Sequence, residues 1–239
     1  MTNSSVCLCI CLMMLMSCKH DAKANRADED FNHTTQDSLD HNTTSLKFGM
    51  YNPYAKNGFN SSDYKNFDIV SYAGYDIDPD TGDAIDTHNW ETTSVIDSLQ
   101  GLGVDLLLLA SSTGRSQNRQ FLNNSKAVAT FTVNASSKLA MQNAKGVHLH
   151  LDSIALEDLH KFTNFITMFS NHLHNQGYVV YLTLPNEFPN AFDTEVLNSR
   201  VDYYVLMQLS NSNPKDDLKN HYLNRGVPVQ KLLVVDALE

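Results

Sequence analysis

His148, His150 and Asp152 occupy alternate positions of an apolar run that begins at Lys145. Alternate residues of a β-strand share a face, so a strand here would bring two imidazoles and a carboxylate to one spot. Such groups are costly to bury unless they are paired or used. One chemistry that suits them is metal binding, because neutral imidazoles and a carboxylate can hold Zn²⁺ or a similar ion. Three ligands from one strand do not easily surround one ion, and His160, His172, His174 and His221 fall on helix-like segments. No metal and no cofactor is therefore assigned. The plain structural alternative is that His148 and His150 are hydrogen-bonded to one another and to Asp152.

The elements that must position this strand alternate along the chain. Strand-like segments cover residues 46–51, 67–73, 105–110, 145–152, 178–184, 201–209 and 231–237. The near-continuous apolarity of residues 105–110 suits a parallel strand covered on both faces. Helical spacing runs through Val95, Ile96 and Leu99, then over residues 124–143, and most clearly through Leu159, Phe162, Phe165, Ile166, Phe169 and Leu173. Asp78, Pro79 and Gly82 mark a turn after the second strand. Strand–helix alternation of this kind predicts an α/β fold with a parallel sheet and covering helices. Seven strands favour a (β/α)8 TIM-barrel-like architecture, incomplete at its C-terminus because the sequence stops at Glu239 just after the seventh. Open parallel edges are normally avoided. A partner protein that completes the barrel is one expectation, and a truncated, non-functional copy of a longer enzyme is another.

The chain has 239 residues, a formal net charge of −10 and an 18% charged fraction. That is enough length for one full core. The negative charge argues against nucleic acid or anionic lipid as the main partner, because phosphates require Lys and Arg. A neutral sugar is compatible with it.

All four cysteines (Cys7, Cys9, Cys11 and Cys18) lie in the first eighteen residues. The apolar run 6–16 is too short to span a bilayer and has the length of a signal-peptide core. Leu15, Met16, Ser17 and Cys18 together resemble the lipobox of bacterial lipoproteins, in which the cysteine becomes the lipidated N-terminus, although no Lys or Arg precedes the run. The resemblance implies a signal peptide over residues 1–18 and an extracytoplasmic protein anchored to a bacterial outer membrane through Cys18. Each buried methylene of an acyl chain contributes about 0.8 kcal/mol to such anchoring. Residues 19–45, rich in Asp, Asn, His and Thr, read as a flexible tether. Residues 46–239 form the folded domain.

Several segments of that domain resemble, in order and spacing, the family 18 glycoside hydrolases (chitinases and endo-β-N-acetylglucosaminidases). They are residues 71–82, beginning Ser-Tyr-Ala-Gly-Tyr, residues 121–125, the strand at 181–185, residues 201–207 and residues 227–233. The resemblance implies a TIM barrel whose fourth strand carries the motif Asp-x-x-Asp-x-Asp-x-Glu. In that family the final Glu protonates the glycosidic oxygen, and the preceding Asp orients the substrate's acetamido group, which itself attacks the anomeric carbon. The four motif positions here hold Lys145, His148, His150 and Asp152.

Asp152 is one methylene shorter than Glu, which retracts a carboxyl by roughly 1 Å, and misplacement on that scale costs on the order of a hundredfold in rate. A protonated His150 would repel the positive charge developing on the sugar. On the sixth strand, Met207, Gln208, Leu209 and Ser210 stand where the family has Met-x-Tyr-Asp. Gly74 falls where an aromatic is usual, and the single tryptophan, Trp90, sits at a helix start away from any sugar-binding floor. The expected protein is a degenerate relative that binds an N-acetylglucosamine-containing glycan or a partner protein without efficient catalysis. The alternatives are a weak hydrolase using Asp152 as acid and a metal-binding barrel. Tyr72, Tyr75, Met207 and Gln208 are the expected ligand contacts. Tyr72, Tyr75, Tyr181 and Tyr203 are candidates either to stack on sugar or to fill the core with satisfied hydroxyls, and Glu187 is a candidate displaced acid or a solvated loop charge.

Overall fold

The computed structural model describes residues 46–55, 58–185, 192–208 and 215–236. Seven strands run in chain order: β1 (Phe48–Tyr51), β2 (Ile69–Asp76), β3 (Asp105–Ser112), β4 (Gly146–Leu151), β5 (Val179–Thr183), β6 (Tyr203–Gln208) and β7 (Leu232–Asp236). Each pairs in parallel with the next, so the sheet order is the sequence order. The result is a nearly closed barrel in which β1 approaches β7 without a ladder between them among the described residues. The connecting helices are α1 (Ser61–Tyr64), α2 (Ser94–Gly101), α3 (Arg115–Asn123), α4 (Ser125–Met141), α5 (Leu159–His174), α6 (Thr194–Leu197) and α7 (Lys215–Asn224). The helix expected over 124–143 is α4, and a separate helix, α3, precedes it. The side chain of Asn124 accepts a hydrogen bond from the Ala127 N–H at 3.1 Å and starts α4 afresh.

Residue parity divides the core into two. Val70, Leu106, Leu108, Ala110, Val147, Leu149, Val180, Leu182, Tyr204 and Leu206 face the helices, packed against residues such as Ile96, Phe131, Ile166 and Phe169. Phe48, Ile69, Leu107, Tyr181, Val205 and Leu233 point inward and fill the barrel, with Met50, Tyr203, Met207 and Val235 around them. This double burial explains the unbroken apolar run of β3. The inside is a packed core, as barrels of this size require.

One irregularity re-aims the end of β2. The ladder to β3 pairs Ala73 with Leu109 and then Tyr75 with Ala110, leaving Gly74 as an extra residue. Glycine is required at this bulge, because a Cβ there would sit 2.7 Å from Trp90 Cε3 and 2.9 Å from Leu108 Cδ1. The phase change sends Tyr75 outward against Phe131, at a ring-centroid distance of 5.4 Å. Asp76 is left opposite Ser111 at the C-terminal end of the barrel. Beyond it, Asp78 accepts from the N–H groups of Asp80 and Thr81, which closes the expected turn. Gly82, at φ +79°, lies so close to the Ala127 carbonyl that no side chain fits.

Candidate functional site

A (β/α) barrel builds its sites at the C-terminal ends of the strands, here around Asp76, Ser111 and His150, which face one another across β2, β3 and β4. Of Lys145, His148, His150 and Asp152, only part of the set converges there.

Lys145 precedes β4 at the opposite end of the barrel and lies 3.8 Å from Asp105. His148 is wholly buried inside the barrel. Its Nδ1 lies 3.0 Å from Ser71 Oγ and its Nε2 2.8 Å from Thr183 Oγ1, so one ring links β2, β4 and β5. Phe48 meets the ring edge-on at 5.5 Å. Burial pushes its pKa down to about 3, and a neutral imidazole between two hydroxyls satisfies both nitrogens. His150 is half-buried. Burial holds it below the usual histidine range, with the Asp152 charge opposing, and its Nδ1 has no hydrogen-bond partner among the described residues. The expected pairing of the two imidazoles with each other and with Asp152 is therefore absent from the described hydrogen bonds.

Asp152 is exposed, just beyond β4. Its Oδ1 accepts from the Gly114 N–H at 2.8 Å and from Asn118 Nδ2 at 3.4 Å. The same Asn118 amide donates to the Ser153 carbonyl at 2.9 Å. Gly114 is the N-cap position of α3, so the carboxylate binds the backbone N–H at the positive end of that helix. This gives Asp152 a structural task. Asp152→Ala is expected to lower stability by about 1 kcal/mol, measured by urea unfolding. An unchanged midpoint would remove that task.

The expected ligand contacts are mostly elsewhere. Tyr72 and Tyr75 face the helices. The Tyr72 hydroxyl donates to the His88 carbonyl at 2.7 Å and that of Tyr75 to the Gly82 carbonyl at 2.8 Å. Both are buried and neither reaches the mouth, because the bulge at Gly74 places residues 72 and 75 on one side. Tyr181 is core, stacked on Phe48 at 5.9 Å. Tyr203 is half-buried beside it at 4.9 Å. Met207 packs against the inner core. The Gln208 side chain, Glu187 and Cys18 lie outside the described residues. Among the described residues, no three His, Cys, Asp or Glu side chains are grouped as a metal ion would need.

A polar cluster that the sequence did not suggest stands at the mouth. Ser111 Oγ donates to Asp76 Oδ1 at 2.8 Å, and His88 Nε2 lies 2.9 Å from Asp76 Oδ2. His88 Nδ1 lies 2.8 Å from the Tyr54 hydroxyl, which donates to Asp86 Oδ2 at 2.9 Å. The Asp86 bond raises the pKa of Tyr54. The backbone N–H of His88 holds the Asp86 carboxyl below its ordinary range. These residues come from three separate segments, so no local motif announces them. A cavity of about 540 Å³ lies at the other end of the barrel, lined by Gln100, Asp105, Asn143, Lys145 and Tyr178 among others, far from this chemistry.

No family model and no curated protein sequence matches the chain. Solved structures do. A chitinase from Chromobacterium violaceum aligns with a TM-score of 0.66 at 19% identity, over 80% of this chain and 67% of that one. The fold is chitinase-like. The spore cortex-lytic enzyme SleL of Bacillus cereus aligns at 0.66 with 15% identity, over 79% and 50% of the two chains. The second catalytic domain of an Ostrinia furnacalis group II chitinase aligns at 0.63 with 15% identity, over 80% and 63%. A variant of that domain was solved in complex with penta-N-acetylchitooctaose. The chain thus spans between half and two thirds of the length of these chitinase-like structures. At such identities the likeness is one of architecture, the family 18 glycoside hydrolase-like barrel that the order of segments suggested.

Proposed function

We propose that this chain is a family 18 glycosidase-like protein that binds N-acetylglucosamine-containing glycans at the C-terminal mouth of its barrel and does not hydrolyse them efficiently. The observation that carries the reading is the state of the fourth strand. His148 is fixed between Ser71 and Thr183 in the buried core, and the Asp152 carboxylate is turned to the Gly114 N–H. Neither is arranged to give a proton to a glycosidic oxygen. His150 nevertheless offers a nitrogen with no partner among the described residues, close to Ser111, as a binding subsite would. In the same reading Cys18 carries a lipid anchor that holds the domain at the outer membrane through the tether.

Turnover of a chromogenic N,N′-diacetylchitobioside is the test, with chitotetraose binding measured alongside by calorimetry. The wild type is expected to bind the tetrasaccharide and to show no turnover above buffer. Asp152→Glu alone is expected to stay inactive, because His148 and His150 still replace both carboxylates. Turnover in the wild type that disappears in Asp152→Ala would overturn the proposal, as would failure to bind the tetrasaccharide.

A further inference from the structure

Tyr54 is 69% exposed, yet it is held as few exposed tyrosines are. Its hydroxyl contacts both Asp86 Oδ2 and His88 Nδ1. The buried His88 ring lies in T-shaped contact with it at 4.9 Å and 87°, and the Tyr54 backbone N–H donates to Asn52 Oδ1 at 3.0 Å. It lies three residues past the end of β1, at the mouth of the barrel.

The support under it is built at a cost. His88 and the next residue, Asn89, both take positive φ, +49° and +61°, a conformation uncommon for side-chain-bearing residues and strained where it occurs. Tyr72 bonds the His88 carbonyl from below, and buried Trp90 anchors the loop on its far side. The strain places His88 between Tyr54 and Asp76, which is a reason to look for a ligand there.

We propose that Tyr54 is a stacking platform for one ring of the bound glycan, with Asp86 and Asp76 accepting hydrogen bonds from that ring's hydroxyl groups. This rests on the glycan-binding reading above and names the residues that would carry it. An aromatic face takes the C–H face of a sugar, and a pinned ring loses little rotational freedom on binding. Each carboxylate has about four acceptor sites. Asp86 uses its own for Tyr54 and the His88 N–H, and Asp76 for His88 and Ser111, so each keeps capacity for a ligand. A single exposed aromatic flanked by two carboxylates has the size and polarity of a sugar subsite and lacks the apolar area of a protein interface.

Calorimetry on the full chain with N-acetylchitotetraose, and with cellotetraose as an acetamido-free probe, tests the platform. Tyr54→Ala is expected to weaken binding at least about tenfold while leaving thermal unfolding unchanged, and Tyr54→Phe, which keeps the face, only a few fold. Saturating ligand should also perturb the tyrosine ultraviolet spectrum of the wild type, and that perturbation should vanish in Tyr54→Ala. If the chain binds tetrasaccharide and Tyr54→Ala binds it equally well, the platform is wrong while the glycan-binding reading stands. Binding of neither probe by the wild type would sink both. Should Tyr54→Ala not fold, the wild-type spectrum decides, since binding without tyrosine perturbation overturns the platform.

Discussion

Acidification from pH 7 to pH 4 is expected to cost this barrel about 3 kcal/mol through His148 alone. In the folded chain its pKa is pushed down to about 3, whereas the unfolded value is near 6.5. Below pH 6.5 the unfolded chain takes up a proton that the folded one refuses, so stability falls as pH falls until the folded pKa is reached, by which point the His148 contribution has been lost. The group lies between the neutral hydroxyls of Ser71 and Thr183 with Phe48 packed edge-to-face on it, and among the described hydrogen bonds no carboxylate meets it to compensate a charge. Urea unfolding at pH 7, 5.5 and 4 measures the effect. His148→Gln keeps a donor and an acceptor for the two hydroxyls without a titrating ring, and its stability should fall less steeply. Parallel pH profiles for the two proteins would refute the assignment.

Trp90→Ala is expected to destabilise the fold by about 3–5 kcal/mol, which for a domain of this size lowers the melting temperature by roughly 10 °C. The indole is fully buried, packs edge-on to Tyr72 at 5.6 Å and donates to the Lys138 carbonyl at 3.1 Å. Glu91, next to it, is paired with Lys138 on α4, so the loop before α2 is fastened at two points. The ring also occupies the space that any side chain at Gly74 would need. Gly74→Ala should therefore be severe in the wild type and milder in the Trp90→Ala background, where the Trp90 contact is gone and only the Leu108 contact remains. Thermal unfolding of the two single variants and the double variant measures the coupling. Strict additivity would mean that the close approach has no energetic consequence.

The barrel was legible in the sequence because its cause is local. Alternation of inward and outward residues along β3, β4 and β5, and the 3.6-residue stripe of α5, follow from parity and helical pitch without knowledge of neighbours. The glycine-marked turn at 78–82 was legible for the same reason. The site was less so. His148 and His150 were rightly placed on one strand face, but Ser71 and Thr183 are 77 and 35 residues from His148, and only the barrel brings their hydroxyls to it. Tyr72 and Tyr75 fill the core with bonded hydroxyls, the alternative that residue type alone left open, and only the bulge between them puts both on the helix side. Trp90 was read as the start of a helix, whereas α2 begins at Ser94 with Thr93 as its cap. Tyr54, Asp76, His88 and Ser111 gave no signal, since each is unremarkable until β1, β2 and β3 are set side by side.

The extra residue at Gly74 also changes how the end of β2 can vary. Every position after it is out of phase with every position before it. Removing that one glycine would exchange Tyr75 and Asp76 between the packed side and the open side of the sheet without altering either residue. A reader aligning this chain by composition would see the same letters, and the mouth of the barrel would present a phenol in place of a carboxylate. What this strand offers to a ligand is thus written as much in its spacing as in its side chains.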